Sequence, residues 1–164
     1  MTDSVKQLPS LKGLTFRSAS LNDTDFAGVS LMVSRYPPFF NYSFRLMLMK
    51  LIDQLKYQAN ATAFLNGKIV AYAGWIVVNG TDAERWLKEG GEIPIPNWET
   101  GDAAIVTITV TDHKRYLLPL MRAISDRCAG KKVYAIRSFQ DGRKDERRPA
   151  VNARAQTFYH NQAK

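Results

Sequence analysis

The chain has 164 residues, a mass of 18.5 kDa and a formal net charge of +8. Hydrophobic residues make up 45% and charged residues 23%, the balance of a globular domain rather than a disordered or collagen-like chain. One cysteine, Cys128, and two histidines, His113 and His160, exclude an internal disulfide and a multi-cysteine metal cage, so no metal site is expected.

No secretory signal is visible in the first twenty residues, and the apolar stretches Leu46–Leu55 and Ile69–Val78 are too short or interrupted to span a bilayer. The expectation is a single cytoplasmic domain over residues 1–164, with residues 1–20 a loose lead-in.

In chain order, Asn22-Asp23-Thr24 offers caps for a helix carrying Phe26, Val29, Leu31, Met32 and Val33, which Pro37-Pro38 stops. Tyr42 to Tyr57 is the clearest helix, because Phe44, Leu48, Leu51, Ile52 and Leu55 recur at helical spacing. Ala61–Leu65 and Lys68–Val78 read as strands joined by Asn66-Gly67, a hairpin turn that needs positive φ twice. Thr81 is expected to cap a short helix through Trp86 and Leu87, ended by Gly90-Gly91, and a loop follows over Glu92–Gly101. Ala103–Thr111 is a third strand, with Ile105, Thr107, Thr109 and Thr111 expected on one face and Val106, Ile108 and Val110 on the other. Lys114–Ala129 reads as a helix with Pro119 in its first turns, and Lys132–Phe139 as a fourth strand. Asp141–Pro149 reads as a charged loop before a last short helix over Val151–His160. The pattern is α+β, with a mainly antiparallel central sheet flanked by helices.

Four short motifs recur in order. Val70-Ala71-Tyr72-Ala73-Gly74-Trp75 lies in the second strand, and Trp98-Glu99-Thr100-Gly101-Asp102 enters the third. Met121-Arg122 lies on the following helix and Ala135-Ile136-Arg137 in the fourth strand, with Gly142-Arg143-Lys144-Asp145 as a turn beyond it. Together they resemble the toxin-activating lysine acyltransferases, the bacterial cytoplasmic enzymes that activate RTX toxins, over about residues 34–160. That resemblance implies a GNAT-like fold and transfer of a fatty acyl group from acyl carrier protein to lysine side chains. It also implies a His base after a Ser, before the long helix, and an Asp on the strand after W-x-x-G-D.

This chain departs from that pattern at both places. Ser34 stands at the Ser position, but the His position falls on Pro37 or Phe39, and the Asp position on Ile108. The amine of lysine is protonated at neutral pH, so transfer to it needs a proton acceptor within reach. Asp112 and His113 are the weak substitutes that remain, and adjacent loop residues of this kind are more often a solvated turn pair than a catalytic dyad. Trp75, Tyr72 and Trp98 read as core packing, and Cys128 as a buried thiol. Thr111–Tyr116 contains no glycine where an acetyl-coenzyme A enzyme of this fold would cradle pyrophosphate, so no nucleotide cofactor is expected.

Arg115, Arg122, Arg127, Lys131 and Lys132 form one basic group, and Arg143, Lys144, Arg147, Arg148 and Arg154 a second. They suit an acidic protein surface; nucleic acid is the alternative that charge alone leaves open, without a supporting motif. The expected function is a catalytically degenerate relative of the acyltransferases, carried on a mobile genetic element, that binds, regulates or inhibits a macromolecular partner. An active carrier-protein-dependent lysine acyltransferase is the alternative, and a homodimer would suit exposed strand edges.

Overall fold

The computed structural model describes residues 11–138 and 144–151. Six strands form one sheet in the order β1-β2-β3-β4-β5-β6. They are β1 (Leu14–Arg17), β2 (Asn60–Leu65), β3 (Lys68–Val78), β4 (Ala103–Thr111), β5 (Lys132–Ser138) and β6 (Lys144–Val151). All neighbours pair antiparallel except β4 and β5, which are parallel. Helices α1 (Asp23–Ser34) and α2 (Phe44–Lys56) lie between β1 and β2, α3 (Gly80–Glu89) between β3 and β4, and α4 (Leu117–Arg127) between β4 and β5. The α4 connection is the crossover that a parallel strand pair requires.

The elements follow local chemistry. Asn22 caps α1 by accepting the Asp25 amide at 2.9 Å, and Ser43 caps α2 by accepting the Leu46 amide at 3.3 Å. Asn66 (φ 51°) and Gly67 (φ 76°) make the β2–β3 turn as the Asn-Gly pair predicts. Continuous burial of β3 from Val70 to Val78 explains its unbroken apolar run, since helices cover both of its faces. Ala71, Ala73, Trp75 and Val77 pack on one face with Leu120, Ala123 and Ile124 of α4. On the other face Tyr72 packs with Val29 and Val33 of α1 and Leu51 and Leu55 of α2, while Ile76 and Val78 pack with Trp86 of α3.

Four expectations are corrected. The lead-in contains a strand: β1 pairs with β2, and buried Asn60 fixes the chain beyond it by accepting the Ala19 amide at 2.7 Å and donating to the Ala19 carbonyl at 3.0 Å. Thr81 does not cap α3. Asn79 occupies the cap position, and Asp102 of the W-x-x-G-D motif accepts the Gly80 amide at 2.6 Å. The expected charged loop is β6 from Lys144 onward, and Val151, the expected start of a last helix, ends that strand. Arg143, Arg154 and His160 lie outside the described residues.

The fourth correction concerns β4. Gly74 pairs with Ile108 and Trp75 with Val106, so Thr107 is an extra residue, a β-bulge. It resets the alternation: Ile105 falls on the same face as Ile108 and Val110, opposite Ala104 and Val106. A strict two-residue period had placed Ile105 against Ile108.

Candidate functional site

The bulge coincides with a parting of strands. Pairing between β4 and β5 runs from Ala103–Lys132 to Val106–Ala135 and stops there. Thr107–Thr111 continue with β3 alone as neighbour, while Ile136 and Ser138 pair with β6. The two parallel strands therefore part toward their carboxyl ends.

A buried polar network lies where the strands part. Gln54 of α2 is 1% exposed; its Nε2 donates to Thr107 Oγ1 at 2.8 Å and its Oε1 accepts the Tyr72 hydroxyl at 2.9 Å. Thr107 Oγ1 in turn donates to the Gly74 carbonyl at 3.4 Å. Gly74 is what admits Gln54, because a Cβ there would stand 2.0 Å from Gln54 Oε1. None of these groups takes or gives a proton at neutral pH: burial pushes the Tyr72 phenol far above its usual value, and the others do not titrate.

Phe39 and Ile108, two positions singled out in the sequence, share one apolar cluster. Ile108 is buried in an apolar cluster with Val110, and Phe39 and Tyr36 pack against the same cluster.

Asp112 and His113 lie at the end of β4 but face different partners. Asp112 accepts the Tyr36 hydroxyl at 2.6 Å, and this contact together with burial raises the Tyr36 phenol to about 12. His113 Nδ1 accepts the Arg115 amide at 3.2 Å, capping a single 3₁₀ turn over Lys114–Tyr116. The Tyr116 amide donates to the His113 carbonyl at 3.0 Å, and the Leu117 amide donates to the Lys114 carbonyl. Successive amides before α4 are thus spent within the chain. A nucleotide pyrophosphate, which needs such amides free, does not fit this turn.

The first basic group is divided. Lys131 Nζ donates to the Gly101 carbonyl, Lys132 pairs with Glu84 at 3.1 Å, and Arg127 donates to Ser18 at 2.6 Å. Arg115 and Arg122 are exposed at the start and middle of the α4 region. Lys144 begins β6, opposite Ser138. Cys128 is buried at the end of α4, and burial pushes its thiol up to about 12, against thiolate formation at neutral pH. Among the described residues no group of His, Cys, Asp and Glu is arranged to hold a metal ion, and no helix is long and apolar enough to cross a membrane.

The fold has counterparts among solved structures. The loading GNATL domain of CurA from Lyngbya majuscula superposes with a TM-score of 0.53 at 12% identity, covering 76% of this chain and 65% of that one. A GNAT-family acetyltransferase from Streptococcus agalactiae 2603 gives 0.54 at 9% identity, covering 79% of each chain. The fold is that of the GNAT acetyltransferases. A mosquito arylalkylamine N-acetyltransferase like 5b gives 0.50 at 12% identity, covering 75% of this chain and 76% of that one. This chain therefore spans just under two thirds of the CurA domain's length and most of the other two. No protein-family model matches the sequence, and no curated protein matches it. At these identities the likeness to GNAT proteins is one of fold.

Sequence reasoning missed Gln54 and Thr107. A glutamine on the apolar face of an otherwise clean amphipathic helix, four residues past Lys50, was the available signal.

Proposed function

We propose that this chain is a catalytically degenerate relative of the toxin-activating lysine acyltransferases. It uses the GNAT scaffold to bind an acidic protein partner rather than to turn over acyl groups. The observation that carries the reading is the apolar cluster of Ile108, Val110, Phe39 and Tyr36 where a base and its orienter are required. The carboxylate that reaches this cluster, Asp112, is a weak base engaged by the Tyr36 hydroxyl at 2.6 Å, and no histidine joins the cluster to take the proton of a lysine arriving as an ammonium ion.

The choice of partner rests on charge. Arg115 and Arg122 are exposed at the start and middle of the α4 region, and the chain as a whole carries +8. An acyl carrier protein is the acidic partner that the resemblance suggests, and its donor arm does not require the pyrophosphate cradle that the β4–α4 turn lacks. Basic groups of this kind steer an acidic partner and set its salt sensitivity.

The test mixes the protein with acyl-loaded carrier protein and lysine-bearing candidate proteins, followed by mass spectrometry. The expected result is a complex by analytical ultracentrifugation at low salt and no acylated lysine on the candidates. Acylation of a candidate beyond one group per molecule of this chain would make it a working acyltransferase instead.

A further inference from the structure

A cavity of about 690 Å³ lies between α1 and the β2–β3 hairpin. Thr24, Gly28, Leu31 and Arg35 line it from α1, at spacings of three and four residues, so it follows one stripe of the helix from first turn to cap. Its volume is within the roughly 300–1,000 Å³ of small-molecule sites. The walls are largely apolar. Met32 and Val70 are buried along it, and Leu31, 60% exposed, leaves aliphatic surface open to it. Gly28 sets the helix close to the hairpin, since a Cβ there would stand 2.8 Å from Ile69 Cδ1.

Charge is sorted along this groove. At one end Arg17 donates to both oxygens of Asp25 at 2.6 Å, and its guanidinium lies 4.1 Å from the centroid of the Phe64 ring. That pair is spent within the fold. At the other end Tyr36, the neighbour of Arg35, donates to Asp112 at 2.6 Å. The Asp112 amide donates to the Val70 carbonyl at 2.9 Å, two residues from Lys68. These contacts bring Arg35, the cap of α1, and Lys68, the first residue of β3, to the same end of the cavity. Neither cation pairs with a carboxylate among the described residues. Three cations and two carboxylates line the cavity, which leaves one positive charge in excess.

We propose that this cavity binds a small organic monocarboxylate, with its carboxylate held by Arg35 and Lys68 and its apolar body along Leu31, Met32 and Ile69. The planar guanidinium of Arg35 matches the two oxygens of a carboxylate, and Lys68 adds a point charge. A single excess charge suits a monoanion better than a phosphate dianion. Exposed cations alone contribute little to binding, and the apolar walls alone do not select an acid, so the ligand needs both halves.

The experiment titrates the full chain with phenylbutyrate, a soluble probe of this chemistry, and follows backbone amides by NMR. Saturable shifts are expected at Gly28, Gly67 and Lys68, which line the cavity. Phenylbutanol, which lacks the charge, and acetate, which lacks the apolar body, should each bind about tenfold more weakly. Arg35→Gln combined with Lys68→Gln should bring phenylbutyrate down to the level of the alcohol and leave the alcohol unchanged. Both side chains are exposed, so the melting temperature of the double variant should stay in place. No saturable shift, shifts centred away from the cavity, equal binding of acid and alcohol, or full binding by the double variant overturns the proposal.

Discussion

Gln54 reaches from α2 to the β4 bulge and donates to Thr107 at 2.8 Å, so one buried amide joins the helix to the residue at which β4 leaves β5. The contact exists because position 74 carries no Cβ. Sequence, bulge and strand parting are thereby linked through one side chain: glycine in β3 admits glutamine, and glutamine satisfies the out-of-register threonine.

Gly74→Ala should force Gln54 out of the network and leave the Tyr72 hydroxyl buried without its acceptor. A loss of about 2–4 kcal/mol in urea unfolding is expected. Gln54→Ala alone should cost about 1–3 kcal/mol. The double variant should be more stable than the sum of the two losses implies, because the clash is removed with the side chain. Additive losses would show that Gln54 does not occupy the space above Gly74.

Asp25 is the residue whose ionisation most directly supports the fold. Arg17 donates to both its oxygens at 2.6 Å, and this pairing, against a smaller opposing effect of burial, lowers the carboxyl from 3.8 to about 2. A carboxyl depressed in the folded state stabilises fully above its unfolded pKa and loses that contribution as pH falls through the folded value. Stability should therefore drop between about pH 4 and pH 2. Arg17 is half exposed, so the term is reduced by solvent to about 1–2 kcal/mol. Thermal melts of Asp25→Asn should show the lower stability at pH 7 and a shallower decline in that window.

Asp102→Ala removes the acceptor for the Gly80 amide at the start of α3. A loss of about 0.5–2 kcal/mol is expected, with faster hydrogen exchange confined to the first turn of that helix. Unchanged exchange there would mean that water replaces Asp102 without cost.

Cys128 should be inert in the native protein. Its thiol is buried and held at about 12, so a disulfide reagent at pH 8 should react only at the rate of unfolding. Labelling in seconds without denaturant would place the thiol at the surface.

Much of the fold was legible because its signals are local. The Asn22 cap, the Asn66-Gly67 turn and the apolar stripe of α2 each depend on neighbours within a few residues. What escaped depends on distant partners. β1 is four residues long and defined only by pairing with β2; Asp102 caps a helix that precedes it by more than a dozen residues; and the Thr107 bulge exists because of Gly74. The motif residues found structural employment that spacing alone does not reveal. Trp98 stacks on Tyr57 with ring centroids 4.5 Å apart, and Gly101 has no room for a Cβ, which would lie 2.6 Å from the Asn97 carbonyl oxygen. The W-x-x-G-D segment thus clamps α2, α3 and the entry to β4.

The central claim concerns proton acceptance beside Ile108, and the stoichiometry of thiol release tests it most directly. Acyl-loaded carrier protein in tenfold excess, followed by a thiol-reactive dye with a lysine-bearing protein present, should release no more than one thiol per chain and then stop. Steady release through several equivalents, each matched by an acyl group on the added protein, would contradict the account.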